Sequence, residues 1–159
     1  MKTPVITVRD VVTAFDDNIV HDHVSCTVCE NEIYALLGGS GSGKSTLLRE
    51  MIMLERPRSG RINVLGYDLA NLSYEEAQDL RSRWGVLFQS GALYSSLTVG
   101  ENIALLYHEY TRLPPRLVRE LVKLKIDLVG LPPHAIHLYP GQLSGGMVKR
   151  AALARALAL

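Results

Sequence analysis

A chain of 159 residues with 47% apolar side chains is long enough for one domain with a real core, and too apolar to be a disordered segment. Its 17 Lys+Arg against 16 Asp+Glu leave a formal charge of +1, so no long-range field favours nucleic acid or an anionic membrane surface. No apolar stretch approaches the roughly 18–20 residues that cross a bilayer, and Met1-Lys2-Thr3-Pro4 does not begin a secretory signal, so the expectation is a cytoplasmic protein that meets membranes only through a partner.

Residues Val5 to Glu32 read as short strands with polar turn chemistry at Asp16-Asp17-Asn18 and Glu30-Asn31, which predicts a small antiparallel unit. Cys26 and Cys29 form a lone C-x-x-C within it. A structural zinc needs four ligands, and His21, His23, His108, His134 and His137 supply no second pair at metal spacing, so two reduced cysteines in an edge strand and its turn are expected. Ile33 to Leu37 is a continuous apolar run of the kind buried on both faces of a sheet, and it leads directly into a glycine-rich loop. Helical composition follows from Thr46 to Met53.

Pro57-Arg58-Ser59-Gly60 ends that helix, and Arg61 to Leu65 alternates as a strand that Gly66 turns. Ser73-Tyr74-Glu75-Glu76 has the form of a capping box and opens a helix to about Ser82; Gly85 to Phe88 is a short apolar strand ending at Gln89; Thr98-Val99-Gly100-Glu101 is a second capping box. Pro114 and Pro115 suit the first turn of a helix on which Leu117, Leu121, Leu124 and Leu128 share one face, expected to be core, before Gly130 ends it. Lys149, Arg150 and Arg155 stand among Ala and Leu and read as the solvated face of a helix, while His134 and His137 beside Pro132-Pro133 read as loop residues. Strands alternating with helices predict an α/β sheet with a largely helical insert over about 90–140.

Gly38-Gly39-Ser40-Gly41-Ser42-Gly43-Lys44-Ser45 fills every fixed position of G-x-x-x-x-G-K-[ST], with an apolar run before it and a helix after it. Glycines let successive backbone N–H groups turn inward around a phosphate at a positive helix end. Lys44 is expected to reach the β- and γ-phosphates, the Ser45 hydroxyl to occupy one Mg²⁺ position, and Thr46 to add a hydroxyl beside the α-phosphate. The motif specifies a nucleoside triphosphate and leaves the reaction open.

Leu143-Ser144-Gly145-Gly146-Met147 strongly resembles the LSGGQ signature of ATP-binding cassette ATPases, with Met in place of the final Gln. The resemblance runs from about Val5 to Leu159 and implies a P-loop NTPase (RecA-like) core of α/β class, with an N-terminal antiparallel β subdomain and a helical insert. It implies that Phe15 stacks on adenine and that Gln89, at the Q-loop position, touches the metal or water and shares catalysis with Lys44. In this family two domains meet head to tail. Ser144 can cap a helix beginning near Gly145-Gly146, so that the free N–H groups there grip the γ-phosphate held by the partner's phosphate loop. Phe88-Gln89-Ser90-Gly91-Ala92-Leu93, Met147 and the run Lys149 to Ala156 look like the ATPases of Mla/Mce-type lipid transporters, which move phospholipids or other lipids between bacterial membranes. The resemblance therefore implies ATP and Mg²⁺ as cofactors, with a homodimer, a transmembrane permease and an MCE-type substrate-binding protein as partners. It implies no nucleic acid, and a peripheral place on the cytoplasmic side of the inner membrane.

The family also uses an apolar strand ending in Asp and Glu, and later a switch His; none is found up to Leu159, and no histidine follows the signature. The expectation is a partial nucleotide-binding domain over 1–159, missing the C-terminal part of its core and poorly stable alone, because the absent strand would lie inside the sheet. The alternative function is a truncated nucleotide-binding module without hydrolytic activity. A soluble cassette acting on nucleic acid is disfavoured by the lack of basic excess and of a second cassette.

Overall fold

Two stretches rich in Val, Ile and Thr, on either side of the polar turn Asp16-Asp17, have strand composition and fold into a long hairpin. The computed structural model describes residues 2–159, with β1 (Pro4–Phe15) antiparallel to β2 (Asn18–Cys29) and Phe15 opposite Asn18 across the turn. Asp16 takes a left-handed backbone, φ 51°, as a tight two-residue connection requires. The other edge of β1 carries β3 (Ser59–Val64), which pairs in turn with the short β4 (Tyr67–Asp68), giving the antiparallel order β2-β1-β3-β4. Val8 faces Ile62 across that ladder, and both are buried with Val11 and Val64. Helix α1 (Lys44–Met51) lies against β3 and buries Leu47 and Met51. Helix α2 (Tyr74–Arg81) begins with the expected box: Glu76 N donates to Ser73 Oγ at 3.2 Å and Ser73 N donates to Glu76 Oε2 at 2.8 Å.

The chain divides into two compact units at Arg81 and Ser82. In the second, α3 (Val99–Tyr110), α4 (Pro115–Leu128), a 3₁₀ turn at Pro133–His137, another at Pro140–Gln142, and α5 (Gly145–Ala156) enclose a core of Val99, Ile103, Val118, Val122, Ile126, Ala151 and Ala154. Alanines on the inner face of α5 let the helices approach closely, and each buried Val or Ile contributes roughly 1.5–3 kcal/mol. The second capping box also forms: Glu101 N donates to Thr98 Oγ1 at 3.2 Å and Thr98 N donates to Glu101 Oε2 at 2.7 Å. These bonds from Thr98, the backbone one foremost, hold the Glu101 carboxyl below its usual range.

Three expectations need correcting. On α4 the buried stripe is Val118, Val122 and Ile126, whereas Leu117, Leu124 and Leu128 are 43%, 57% and 65% exposed and only Leu121 packs against the core. Both stripes are apolar and one residue apart, about 100° around the helix, and the fit against α3 and α5 selects the β-branched one. Second, Ile33–Leu37 forms no strand, with Ile33 fully exposed and Leu37 89% exposed. Third, Gly85–Phe88 forms no strand either. A strand is defined by a neighbour's backbone, and among the described residues the only ladders are those of β1 to β4.

Candidate functional site

The phosphate-loop segment follows residues 32–39, which join no helix or strand, and turns at 40–43 into α1. Gly43 stands before the first helical residue with φ 83°, a conformation that disfavours a side chain, and a Cβ there would run into His21 Nε2 and lie 2.7 Å from Val20 Cγ1. Gly41 is also left-handed, φ 81°. No side chain caps α1, and its first turn holds no acidic residue, so the free N–H groups of that turn are left to an external anion. Lys44 Nζ donates to the carbonyls of Gly38 at 2.8 Å and Gly39 at 2.6 Å and to Ser42 Oγ at 3.1 Å, which gathers the ammonium over the loop's mouth. Ser45 is exposed beside it and Thr46 half-buried. Phe15 closes β1 with its ring 47% exposed. The left-handed glycines, the uncapped helix start and the folded-back ammonium fit a polyphosphate chain, with an oxygen ligand for a hard cation at Ser45.

Behind the loop lies a buried polar cluster drawn from three segments. Thr13 Oγ1 donates to Glu50 Oε1 at 2.6 Å, His21 Nδ1 lies 2.9 Å from Thr13 Oγ1, and His21 Nε2 lies 3.1 Å from the Gly43 carbonyl. His21 enters the sequence only among histidines without metal spacing, and Glu50 belongs to no motif. Only Thr13, between Val12 and Ala14, stands among apolar neighbours; His21 is followed by Asp22 and Glu50 preceded by Arg49, so the local sequence does not mark them as core residues. Cys26 and Cys29 are free thiols on β2, and burial pushes the Cys26 thiol up, away from the thiolate that redox chemistry uses.

The remaining motif residues belong to the second unit. Ser144 is the N-cap of α5, and its Oγ accepts from Met147 N at 3.3 Å. Gly145 and Gly146 follow at the open helix start, exposed, with free space where a Cβ would stand. Gln89 is exposed in a turn. The loop directly after it is held by Arg155, whose Nη1 donates to Ala92 O at 2.6 Å and Nη2 to Gly91 O at 3.0 Å. Arg155 is thus a fork on backbone carbonyls and not part of a solvated face; Arg150 and Lys149 are exposed as expected, and Arg150 also donates to Gly130 O at 2.5 Å. These acceptors are 63 or more and 20 residues away in sequence, beyond any local pattern.

Comparison with known proteins adds the family. The model of the ABC transporter family matches residues 21–159. The intermembrane phospholipid transport system ATP-binding protein MlaF of Haemophilus influenzae is 40% identical over the whole chain, and that of Escherichia coli K12 is 40% identical over 97% of it. A probable ribonucleotide transport ATP-binding protein, mkl of Mycobacterium tuberculosis, is also 40% identical over 97%. The chain spans 60%, 57% and 43% of these relatives' own lengths. Among solved structures, the dimeric bacterial ABC transporter cassette MJ0796 superposes with a TM-score of 0.89 at 28% identity, covering 96% of this chain and 69% of that one. Its post-hydrolysis form bound to ADP and Pi superposes at 0.87 over the same shares. The likeness bears out the P-loop α/β fold expected from the sequence.

Proposed function

Because this chain belongs to the ABC transporter family, we propose that it carries the nucleotide site of a transport motor, binding ATP with Mg²⁺ and coupling its hydrolysis to movement of phospholipid between bacterial membranes. The observation that carries the proposal is the uncapped α1 start behind Gly43 with Lys44 poised over the loop. Bound Mg²⁺-ATP supplies a phosphoryl group whose charge the metal partly neutralises. The chain's own part is positioning and electrostatics. The N–H groups around Gly38, Gly39, Ser40, Gly41, Ser42 and Gly43 orient the phosphates, Lys44 places a positive charge where negative charge gathers, and Ser45 gives the metal an oxygen. Thr46 adds a hydroxyl, Phe15 stacks on the base, and Gln89 addresses the metal and the attacking water.

Ser144, Gly145 and Gly146 act on the nucleotide of a second copy, because the start of α5 offers free N–H groups in the same way as α1. The motor is accordingly a homodimer, docked through a permease on the cytoplasmic side of the inner membrane and working with an MCE-type lipid-binding protein. Residues of about 90–140 form its helical subdomain. Among the described residues no helix is long and apolar enough to cross a membrane, which suits docking through a partner. The names of the relatives divide over cargo, phospholipid against ribonucleotide. Phospholipid is favoured because the phospholipid relatives match with the larger share of their own length.

The test reconstitutes the protein at its natural length with its permease in vesicles carrying a fluorescent phospholipid. ATP-dependent lipid movement, with ribonucleotides left untransported, is the expected result. ATP-driven uptake of ribonucleotides with no lipid movement overturns the cargo.

A further inference from the structure

We propose that His21 is a positioning residue of the phosphate loop: it holds the Gly43 carbonyl from a buried network with Thr13 and Glu50 and so sets the direction in which the first turn of α1 presents its N–H groups and Lys44. The three side chains are 5%, 3% and 1% exposed and come from β2, β1 and α1, so the network ties the hairpin to the helix that bears the loop. Proton accounting assigns the bonds. The Gly43 carbonyl can only accept, so His21 Nε2 carries a hydrogen and donates to it at 3.1 Å. Thr13 Oγ1 donates to Glu50 Oε1 and lies 2.9 Å from His21 Nδ1, which fixes the ring from its other side. The ring also faces Glu50 Oε2, which has no hydrogen-bond partner and lies 3.7 Å from Nδ1.

The carbonyl that His21 grips is also the acceptor of the first bond of α1, from Leu47 N at 2.9 Å. It therefore has two donors, one from the helix and one from the sheet, and the residue after it is Lys44. Gly43 has no Cβ, which is what lets the imidazole come this close.

The inference rests on reading this loop as the ATP site, and the experiment separates the two. In the nucleotide-free protein at natural length, His21→Leu speeds amide exchange of residues 44–47 about fivefold, the worth of one lost hydrogen bond, and in steady state it raises KM for ATP by a similar factor with kcat changed less than about twofold. His21→Gln, which keeps an N–H near the Nε2 position, holds both within about twofold of the parent. The double variant His21→Leu/Glu50→Leu removes the stranded carboxylate and recovers the melting temperature, yet keeps the raised KM and the fast exchange. Recovery of KM along with the melting temperature, or unchanged exchange in His21→Leu, overturns the positioning role. Turnover indifferent to Lys44→Ala would instead overturn the ATP reading, and the exchange measurement would still decide on His21.

Discussion

Lys44→Ala lowers ATP hydrolysis by the natural-length protein at least about a hundredfold, the scale found when one preorganised charge-stabilising donor is removed from a phosphoryl or acyl transfer site. The ammonium is already gathered over the loop by the carbonyls of Gly38 and Gly39 and by Ser42 Oγ. It has only to exchange those neutral acceptors for phosphate oxygens, which bind it more strongly. Lys44→Arg fails to restore the rate, because a planar fork cannot occupy the place of a compact point charge in a loop this tight. A melting curve taken beside the assay separates lost chemistry from lost fold, and the parent melting temperature is expected, since the loop is exposed. Wild-type turnover by Lys44→Ala would mean that the loop does not hold the reacting phosphates.

Asn102→Ala is expected to cost about 3 kcal/mol of stability, among the larger effects of a single substitution, because it strands several buried polar groups at once. Asn102 is fully buried in the first turn of α3. Its Oδ1 accepts from Tyr94 N at 2.8 Å, and its Nδ2 faces the carbonyls of Tyr94, Leu97 and Thr98 at 3.1, 3.1 and 2.9 Å. One amide thereby closes the whole turn that leads into the helix. Asn102→Asp is expected to be worse than Ala, since it turns an acceptor toward three carbonyls in a buried place. Urea midpoints of the two variants check the order, and an Asp variant as stable as the parent would contradict it.

What the residues revealed in advance was local. The phosphate loop, both capping boxes and the Ser144 cap depend on spacings of three to eight residues, and all three caps form as the spacings require. What stayed hidden depends on partners far along the chain. Ile33–Leu37 has the composition of a buried strand, but strand pairing is decided by a neighbour's backbone, and no ladder among the described residues includes it. On α4 two apolar stripes compete, and periodicity cannot say which one meets α3 and α5. Arg155 looked solvated because its acceptors, Gly91 and Ala92, lie more than sixty residues earlier. The His21–Thr13–Glu50 cluster joins residues 37 apart, and each member alone reads as an ordinary polar residue.

The most direct test of the account is complementation between two inactive variants of the natural-length protein, Lys44→Ala and Ser144→Arg, the second placing a bulky charge at the open start of α5. If each site is built from the loop of one copy and the Ser144 helix of the other, neither homodimer has an intact site, while a mixed dimer has one. Mixing equal amounts makes half the dimers mixed, each with one working site of two, so about a quarter of the parent activity should return. No recovery, with mixed dimers shown to form, would mean that Ser144 serves its own copy's nucleotide or none, and the proposed two-copy motor would be wrong.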